Sequence, residues 1–419
     1  MISGKKTTRC GLIGEHLSHS FSPQIHRHLA DYSYTLFEMA EDEVGNFLKS
    51  DKFDSTNVTI PYKKTVMPFL DEISDEARRI GSVNTITRTP SGGLKGDNTD
   101  YFGFSYMIRK GGIDLRGKNV IILGTGGASL TARTVAADMG AVRISFVSRS
   151  GEVNYDNVYS LCADTEIIIN CTPVGMYPKN LVSPIDLERF PRLEGVADMI
   201  YNPAKTKLLL DAERLGIKYT NGLSMLVAQA KRATELFLNE TIEDSEIDRI
   251  VSLIENETMN IILVGMPGCG KSTVASLIAQ ATGRELIDTD SLIVEDEGRS
   301  IPEIFTADGE DYFRACEHRA AQNAGKMSSC VIATGGGIIT REENLDALRQ
   351  NGKIFFIERD ISSLSRDGRP LSIGSDLNAM YEKRLPLYLK FADYRVSNST
   401  TPDDCAREIL NIFEKECSK

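Results

Sequence analysis

The chain has 419 residues, of which 41% are hydrophobic and 26% charged, and its formal net charge is −11. This length allows about two or three domains with separate cores, and the acidic balance argues against nucleic acid or an anionic membrane as a partner. No apolar run approaches the roughly 20 residues that span a bilayer, and the eight cysteines show no C-x-x-C spacing. We therefore expect a cytoplasmic protein, with its oligomeric state left open.

Three polar segments before residue 101 carry hydroxyl, amide and charged groups. Ser20-Phe21-Ser22-Pro23 places two hydroxyls on one side of an extended turn. Residues 57–63 end an apolar run with Lys63, and residues 96–100 form a polar turn that begins a helix at Asp100. Each segment alone is typical of a helix cap or a turn.

A βαβ unit begins inside the chain, which predicts a separate domain before it. A strand over 119–123 precedes the glycine-rich turn 124–129, and a helix through Met139 leads to a second strand over 143–147. Further strands are predicted at 166–170 and 195–200. A glycine-rich turn between a strand and a helix favours a dinucleotide phosphate at the helix N-terminus.

The end of the second strand indicates which dinucleotide binds. An acidic residue there would bind a ribose 2′-hydroxyl, but the chain reads Ser148-Arg149-Ser150, which suits a 2′-phosphate and favours NADP over NAD. The alternative is that Arg149 is an exposed loop cation. The predicted NADP-binding residues are Gly124, Gly126, Gly127, Ala128, Ser148, Arg149 and Ser150.

An acidic stretch near 239–257 separates the two halves of the chain. Ile247, Ile250, Val251 and Ile254 recur at helical spacing, so this stretch is predicted to be an amphipathic helix. Only residues 256–259 would remain to join the halves.

A phosphate-binding loop follows the predicted strand 261–264 and precedes a helix over 273–279. Its glycines let backbone N–H groups surround a phosphate chain, Lys271 would neutralise the β/γ oxygens, and Ser272 would bind Mg²⁺. The alternative is a glycine-rich turn with an unrelated lysine. The predicted ATP-binding residues are Gly265, Gly268, Cys269, Gly270, Lys271, Ser272 and Thr273.

Charged residues beyond this loop suggest an acceptor for the phosphoryl group. Asp290 follows the next apolar stretch, where a base could meet an acceptor hydroxyl, and Arg314 lies on a predicted helix. A strand over 329–333 runs into three glycines. The nearby arginines lie beside proline, leucine or phenylalanine, which favours a pocket for a small dianion over a solvated basic face.

The motifs of the first 256 residues together resemble the shikimate dehydrogenase family. They are Ser-x-Ser-Pro (20–23), Asn-Val-Thr-x-Pro-x-Lys (57–63), Gly-x-Val-Asn-Thr (81–85), Asn-Thr-Asp-x-x-Gly (98–103), Asn-x-Thr-Pro-x-Gly-Met (170–176) and Gly-Leu-x-Met-Leu-x-x-Gln (222–229). The resemblance implies that Lys63 and Asp100 are the catalytic pair. It also implies that shikimate is bound by Ser20, Ser22, Thr59, Asn84 and Gln229, with Tyr201 nearby.

Residues 260–419 resemble shikimate kinase through Asp-x-Asp (288–290), Gly-Glu-x-x-Phe-Arg-x-x-Glu (309–317), Gly-Gly-Gly (335–337), Arg-Pro-Leu (369–371) and Arg-x-Pro-Leu-Tyr (384–388). The resemblance implies that Asp290 takes or orients the hydroxyl proton and that Asp288 supports Mg²⁺ through water. Shikimate would be bound by Arg314, Gly335, Gly336, Gly337 and Arg384. Arg366 would stack on adenine and Arg369 would close on the transferring phosphate, although only two residues separate them where the family has a longer lid.

We predict an α/β protein with a substrate domain (1–100, completed by helices in 221–256), a Rossmann-like domain (101–220) and a P-loop kinase domain with a parallel sheet (257–419). The predicted activity is bifunctional: NADPH reduces 3-dehydroshikimate to shikimate, and ATP with Mg²⁺ then phosphorylates shikimate to shikimate 3-phosphate. One alternative is quinate with NAD in the first half and another small polyol in the second. Another is a metabolite-sensing regulator built from enzyme-derived domains.

Overall fold

A computed structural model describes residues 8–17, 20–364 and 377–417, and three helix-covered β-sheets confirm the predicted α/β class. Its contacts divide the chain into two compact units. The first comprises the chain up to Val174, Ser183–Tyr201 and Asp211–Val251. The second comprises Gly175–Val182, Asn202–Leu210 and the chain from Ser252 onward.

The first sheet belongs to the first unit and mixes parallel and antiparallel strands. Its strands and helices are β1 (Arg9–Gly14), α1 (Ser22–Leu29), β2 (Ser33–Glu38), α2 (Val44–Lys49), β3 (Ser55–Val58), β4 (Glu72–Ile73), α3 (Asp75–Ile80), β5 (Thr85–Arg88) and β6 (Leu94–Asp97). The strand order is β2-β1-β3-β5-β6-β4, with β1 parallel to β2 and β3 and with antiparallel pairs at β3–β5 and β5–β6. The carboxyl ends of β1 and β3 therefore meet at one edge.

The second sheet is parallel and carries the predicted strand–turn–helix unit. The elements are α4 (Asp100–Lys110), β7 (Asn119–Leu123), α5 (Gly127–Asp138), β8 (Arg143–Val147), α6 (Val158–Leu161), β9 (Ile167–Asn170), β10 (Gly195–Asp198), α7 (Lys207–Arg214), β11 (Lys218–Thr220), α8 (Leu223–Leu238) and α9 (Ser245–Thr258). The order is β11-β10-β9-β7-β8. The central strands β9 and β10 are buried along their whole length, and β7 is buried from Val120 onward, as expected for a parallel sheet covered on both faces.

The third sheet is also parallel and lies in the second unit. The elements are β12 (Asn260–Val264), α10 (Lys271–Thr282), β13 (Glu285–Asp288), α11 (Thr289–Glu297), α12 (Ile301–Gly325), β14 (Cys330–Ala333), α13 (Glu343–Arg349), β15 (Gly352–Glu358), α14 (Leu377–Phe391), β16 (Tyr394–Ser397) and α15 (Pro402–Cys417). The order is β13-β14-β12-β15-β16. Every residue of the central strand β12 is buried, so the phosphate-binding loop leaves from the middle of the core.

Most of the segment 256–259, which was predicted to join the two halves, is helical. Helix α9 continues to Thr258, and β12 begins at Asn260. The Thr258 hydroxyl donates to the Ile254 carbonyl at 2.7 Å, and Met259 N–H donates to the Glu255 carbonyl at 2.9 Å. The apolar helical pattern ended at Ile254 and left these residues as the connection, but polar residues also form the last turn of an amphipathic helix.

Two segments from between strands of the second sheet belong to the second unit. Tyr177 donates from its hydroxyl to the Gly325 carbonyl at 3.1 Å, and Lys205 N–H donates to the Gln350 carbonyl at 2.8 Å. Lys207 Nζ lies 2.9 Å from Asp346 Oδ2. The motif 170–176 reaches only the first two residues of these segments and did not indicate a second unit, so the domain limits drawn from the sequence stay a prediction.

None of the helices in the described part of the chain is long and apolar enough to cross a membrane. All eight cysteines are free thiols, and seven of them are buried. Within the same residues, no group of three His, Cys, Asp or Glu side chains is arranged to hold a metal ion.

Candidate active sites

The first unit contains a cavity of about 500 Å³ where the first sheet meets the second. This volume lies within the range of small-molecule sites. Its lining brings together residues that the sequence scatters over more than half the chain. Nine predicted site residues line it: Ser20, Ser22, Thr59, Lys63, Asn84, Asp100, Ala128, Tyr201 and Gln229.

A lysine–aspartate ion pair lies at this cavity. Lys63 Nζ is 2.6 Å from Asp100 Oδ2, and the two side chains are 25% and 12% exposed. Lys63 follows a turn in which the Tyr62 N–H donates a hydrogen bond to the Thr59 carbonyl at 2.9 Å. Asp100 is the first residue of α4. The pair is thus placed by two separate elements and remains open to the cavity.

The remaining polar lining is held by buried hydrogen bonds. Thr99 N–H donates to Asn84 Oδ1 at 2.7 Å, and Thr99 Oγ1 lies 3.5 Å from Gln229 Oε1. The Tyr201 ring packs edge-on against Phe21, with 5.7 Å between centroids, and burial raises the pKa of its phenol. These side chains have defined orientations around the cavity.

The predicted dinucleotide turn has the geometry of a phosphate site. Gly124 follows β7 with a φ of 99°, and α5 begins at Gly127. A Cβ on Gly126 or Gly127 would meet no atom within 4 Å, so the N-terminus of α5 faces open space. Arg149 is exposed two residues after the end of β8. The residues present fit a dinucleotide with its phosphates at the helix N-terminus.

A second cavity, of about 370 Å³, lies in the second unit beside the phosphate-binding loop. Its lining joins predicted nucleotide, metal and acceptor residues in one space. They are Lys271, Ser272, Asp288, Asp290, Arg314, Gly335, Gly336, Gly337 and Arg384.

The phosphate-binding loop presents a buried cation. Lys271 Nζ donates to the carbonyls of Gly265 and Met266 at 2.9 and 3.1 Å, and no carboxylate of the described residues contacts it. Gly268 and Gly270 have backbone φ angles of 88° and 97°, which residues other than glycine rarely adopt. The loop therefore fits an anion that would neutralise Lys271.

Arg314 also lines this cavity, and its guanidinium contacts two carboxylates. Its Nη1 donates to Glu317 Oε2 at 2.8 Å, and its Nη2 donates to the exposed Glu310 at 2.9 Å. Burial raises the pKa of Glu317, while Arg314 opposes this shift. Burial acts to lower the pKa of Arg314, but its carboxylate partners outweigh it and the pKa is raised. Arg314 thus remains a cation.

The three glycines after β14 allow close approaches from three sides. A Cβ on Gly335 would lie 2.5 Å from Asp290 Oδ1, and one on Gly336 would lie 2.7 Å from Pro267 Cγ. A Cβ on Gly337 would overlap the Arg314 guanidinium. Glycine at all three positions therefore lets acceptor and loop residues converge.

Comparison with known proteins identifies the first part of the chain. A family model for the shikimate dehydrogenase substrate binding domain matches residues 12–86. The NADP(+) shikimate dehydrogenase of Clostridium beijerinckii is 37% identical over 267 residues, which cover 59% of this chain and 98% of the relative. The chain belongs to the shikimate dehydrogenase family.

Solved structures of this family agree with the fold. A chorismate mutase/shikimate 5-dehydrogenase fusion protein from Clostridium acetobutylicum aligns with a TM-score of 0.57 and 37% identity, covering 60% of this chain and 98% of that chain. A Thermus thermophilus shikimate 5-dehydrogenase in complex with NADP(H) and shikimate aligns with a TM-score of 0.52 and 27% identity, covering 57% and 97%. The Rossmann-like second sheet is thus shared with this family.

A second family model, for shikimate kinase, matches residues 267–414. The chain therefore joins a shikimate dehydrogenase part to a shikimate kinase domain, as the sequence motifs predicted. Arg366 and Arg369, the predicted adenine and lid residues, lie outside the described residues.

Several residues of the two sites carry no predicted role. Asn57 lines the dehydrogenase cavity, and Glu317 and Phe313 line the kinase cavity. All three belong to motifs that signalled the families, so the motif itself was the available signal. Asn398 donates from Nδ2 to the Cys269 carbonyl of the phosphate-binding loop at 2.8 Å. Nothing in its local sequence indicated this contact.

Proposed function

We propose that the chain catalyses both the NADPH-dependent reduction of 3-dehydroshikimate to shikimate and the ATP-dependent phosphorylation of shikimate to shikimate 3-phosphate. The single observation that carries the first activity is the Lys63–Asp100 pair, 2.6 Å apart at a cavity lined by hydroxyls and amides. The second activity is supported by a phosphate-binding lysine and two arginines at one cavity.

In the dehydrogenase site, Lys63 would act as general acid and Asp100 would stabilise its charged form. NADPH, when bound, supplies the hydride. The substrate oxygen then needs a proton, which the Lys63 ammonium can donate while Asp100 orients it. The glycine turn 124–127 and Arg149 would hold the dinucleotide, with Arg149 near its 2′-phosphate.

In the kinase site, Asp290 would orient the acceptor hydroxyl, and Arg314 and Arg384 would bind the substrate carboxylate. ATP with Mg²⁺ supplies the phosphoryl group when bound. Lys271 would neutralise phosphate oxygens and Ser272 would bind the metal, with Asp288 supporting it through water. Positioning and charge neutralisation supply most of the rate enhancement in such transfers. Removing any one of these cations should therefore lower the rate of phosphoryl transfer strongly.

The dehydrogenase proposal is tested by shikimate oxidation with NADP⁺ and NAD⁺, and by quinate with each cofactor. We expect the highest kcat/KM with shikimate and NADP⁺. In Arg149→Ala, the KM for NADP⁺ should rise at least about tenfold because a charge-assisted phosphate contact is lost, while the KM for NAD⁺ stays constant. A preference for NAD⁺ or quinate in the wild type would contradict the proposal.

The kinase proposal is tested by ADP release with shikimate as acceptor. Lys271→Ala should abolish phosphoryl transfer, and the dehydrogenase rate of the same chain serves as its internal control. Arg314→Lys keeps the charge but loses the planar fork, so the KM for shikimate should rise. ADP release that does not depend on shikimate would contradict the assigned acceptor.

A further inference from the structure

A chain of hydrogen bonds runs beside the dehydrogenase cavity and begins at Tyr34, which no family motif above includes. Tyr34 lies on β2 at the edge of the first sheet and is not among the described residues that line the cavity. Its hydroxyl donates to Asn57 Oδ1 at 2.8 Å and also hydrogen-bonds the side chain of Ser22, which lines the cavity. Burial raises the pKa of the Tyr34 phenol well above its usual value, so the donor proton is retained.

The chain continues through buried side chains to the cavity wall. Asn57 Nδ2 donates to Thr85 Oγ1 at 3.1 Å, and the Thr85 hydroxyl donates to Asn84 Oδ1 at 3.0 Å. Asn84 Nδ2 donates to Thr99 Oγ1 at 3.1 Å. Both asparagines line the cavity. Tyr34, outside the cavity, is thereby connected to Asn57 and Asn84 on its surface by a route separate from its contact with Ser22.

Backbone groups identify the oxygen and nitrogen of both asparagine amides in this chain. The Asn84 backbone carbonyl, which can only accept, receives a bond from Asn57 Nδ2 at 3.4 Å. The Thr99 N–H, which can only donate, is bonded to Asn84 Oδ1 at 2.7 Å. Because Asn57 Oδ1 is thereby identified as an acceptor, Tyr34 must be the donor to Asn57. Among the described residues Asn84 Nδ2 donates only to Thr99 Oγ1, so its second hydrogen is available to a ligand in the cavity.

We propose that Tyr34 is a positioning residue of the dehydrogenase site, which acts through Asn57 and Thr85 to present Asn84 as a hydrogen-bond donor to a substrate hydroxyl. This inference rests on the proposed dehydrogenase function. Asn57 has a second partner, since His26 also hydrogen-bonds its side chain. Loss of the Tyr34 hydroxyl should therefore weaken the orientation of Asn84 without unfolding the cluster.

The decisive variant is Tyr34→Phe, which keeps the ring that stacks on His26 at 4.0 Å between centroids and removes only the hydroxyl. The KM for shikimate and its calorimetric Kd should both rise about three- to tenfold, the range expected for one lost hydrogen bond. The value of kcat should change by less than about twofold, and the KM for NADP⁺ should stay constant, because only uniform substrate binding is affected.

Tyr32→Phe is the matched control from the same aromatic cluster. The Tyr32 hydroxyl contacts His26 Nδ1 at 2.5 Å and Thr234 Oγ1 at 2.8 Å, and neither partner lines the cavity. The KM for shikimate should stay within about twofold of the wild type. An equal rise in both variants would indicate general loosening of the cluster and would overturn the proposal.

A second pair of variants interrupts the chain at its middle. Thr85→Val removes the hydroxyl at nearly constant volume, leaves the contact between Tyr34 and Ser22 in place, and should reproduce the KM rise of Tyr34→Phe. An unchanged KM in Thr85→Val would assign the effect of Tyr34→Phe to Ser22 and overturn the proposal. Thr85→Ser restores the hydroxyl and should restore the KM, which a packing role of the Thr85 methyl would not allow. If the wild type is active and Tyr34→Phe has an unchanged KM for shikimate, only the positioning role of Tyr34 is overturned. A wild type that neither oxidises nor binds shikimate refutes the proposed function and this inference together.

Discussion

At the scale of single residues, Lys63 has the most specific expected role. Lys63→Ala should lower kcat of the dehydrogenase by about 10²–10⁴-fold, the contribution of a general acid, while the Kd for NADPH stays constant. The reason is that the Lys63 ammonium faces the cavity and is paired with Asp100 rather than with the dinucleotide turn. Stopped-flow turnover and NADPH fluorescence titration measure the two quantities.

The exposed neighbour Lys64 provides the matched control for this prediction. Lys64→Ala should leave the dehydrogenase unchanged, and the kinase rate should be unaffected in both variants. A near-normal kcat in Lys63→Ala would remove Lys63 from the mechanism.

His26 is expected to make the stability of the first unit depend on pH. Burial lowers the pKa of His26 from 6.5 to about 3, and its aromatic neighbours Tyr32, Tyr34 and Phe237 carry no compensating charge. Below pH 6.5 the unfolded chain takes up a proton that the folded chain refuses, so acidification favours unfolding. The free energy of unfolding should fall by about 1.4 kcal/mol per pH unit between these two pKa values.

Urea unfolding at pH 7 and pH 5.5 measures this effect. His26→Gln removes the titrating group, so the wild type should lose about 1.4 kcal/mol more than the variant over this interval. Parallel losses in the two proteins would show that His26 does not titrate as expected.

At the scale of elements, Asp288 combines two roles at the start of α11. Its Oδ1 accepts from the Asp290 and Ser291 N–H groups at 2.9 and 3.3 Å, which makes it the N-cap that places Asp290. Asp288→Asn keeps a good cap but loses the charge, so stability should be retained while the Mg²⁺ requirement of the kinase rises. Asp288→Ala should also lose about 1 kcal/mol of stability.

Urea midpoints and Mg²⁺ titrations of kinase activity separate the two roles of Asp288. If Asp288→Asn and Asp288→Ala unfold at the same urea concentration, the cap contributes nothing measurable. If the Mg²⁺ requirement is unchanged in both, the metal role is refuted.

A second prediction at this scale concerns Gly309, where α12 is interrupted by a non-helical residue. Gly309 has φ 82° and ψ 179°, a conformation nearly confined to glycine, and it separates Phe305 from Phe313, which both line the kinase cavity. Gly309→Ala should cost about 1–3 kcal/mol and raise the KM for shikimate, because the two cavity walls shift relative to each other.

Gly298→Ala is the matched control for this break. Gly298 also has a positive φ, 63°, but it ends α11 and is not among the described residues that line the kinase cavity. This variant should lose stability with an unchanged KM. An unchanged KM in Gly309→Ala would refute the link between the break and the substrate site.

At the scale of the whole molecule, the proposed function implies that one chain would supply two consecutive activities in equal amounts. This equality does not imply channelling, because shikimate released from one site can diffuse into solution. A mixture of Lys63→Ala and Asp290→Asn should therefore form shikimate 3-phosphate from 3-dehydroshikimate with the same lag as the wild type at equal concentrations of each active site. A longer lag in the mixture would indicate transfer within one chain.

Local sequence was sufficient for much of the fold. The strands β7, β8 and β12 and the two glycine-rich turns follow from apolar runs and glycine spacing, because a strand and the turn after it depend mainly on neighbouring residues. Local sequence was misleading at residues 256–259, where α9 continues. It also left the break at Gly309 unpredicted, since glycine tolerates helix and non-helical conformations alike.

The candidate sites divide in the same way. The sequence by itself determined which residue types are present, including Lys63, Asp100, Lys271 and Asp290, and motif order indicated their families. Only the tertiary structure decided that Tyr34 reaches Asn84 and that Asn398 supports the phosphate-binding loop. Hydrogen bonds require donors and acceptors about 3 Å apart, and the spacing of distant residues along a chain does not specify that distance before the sheets have packed.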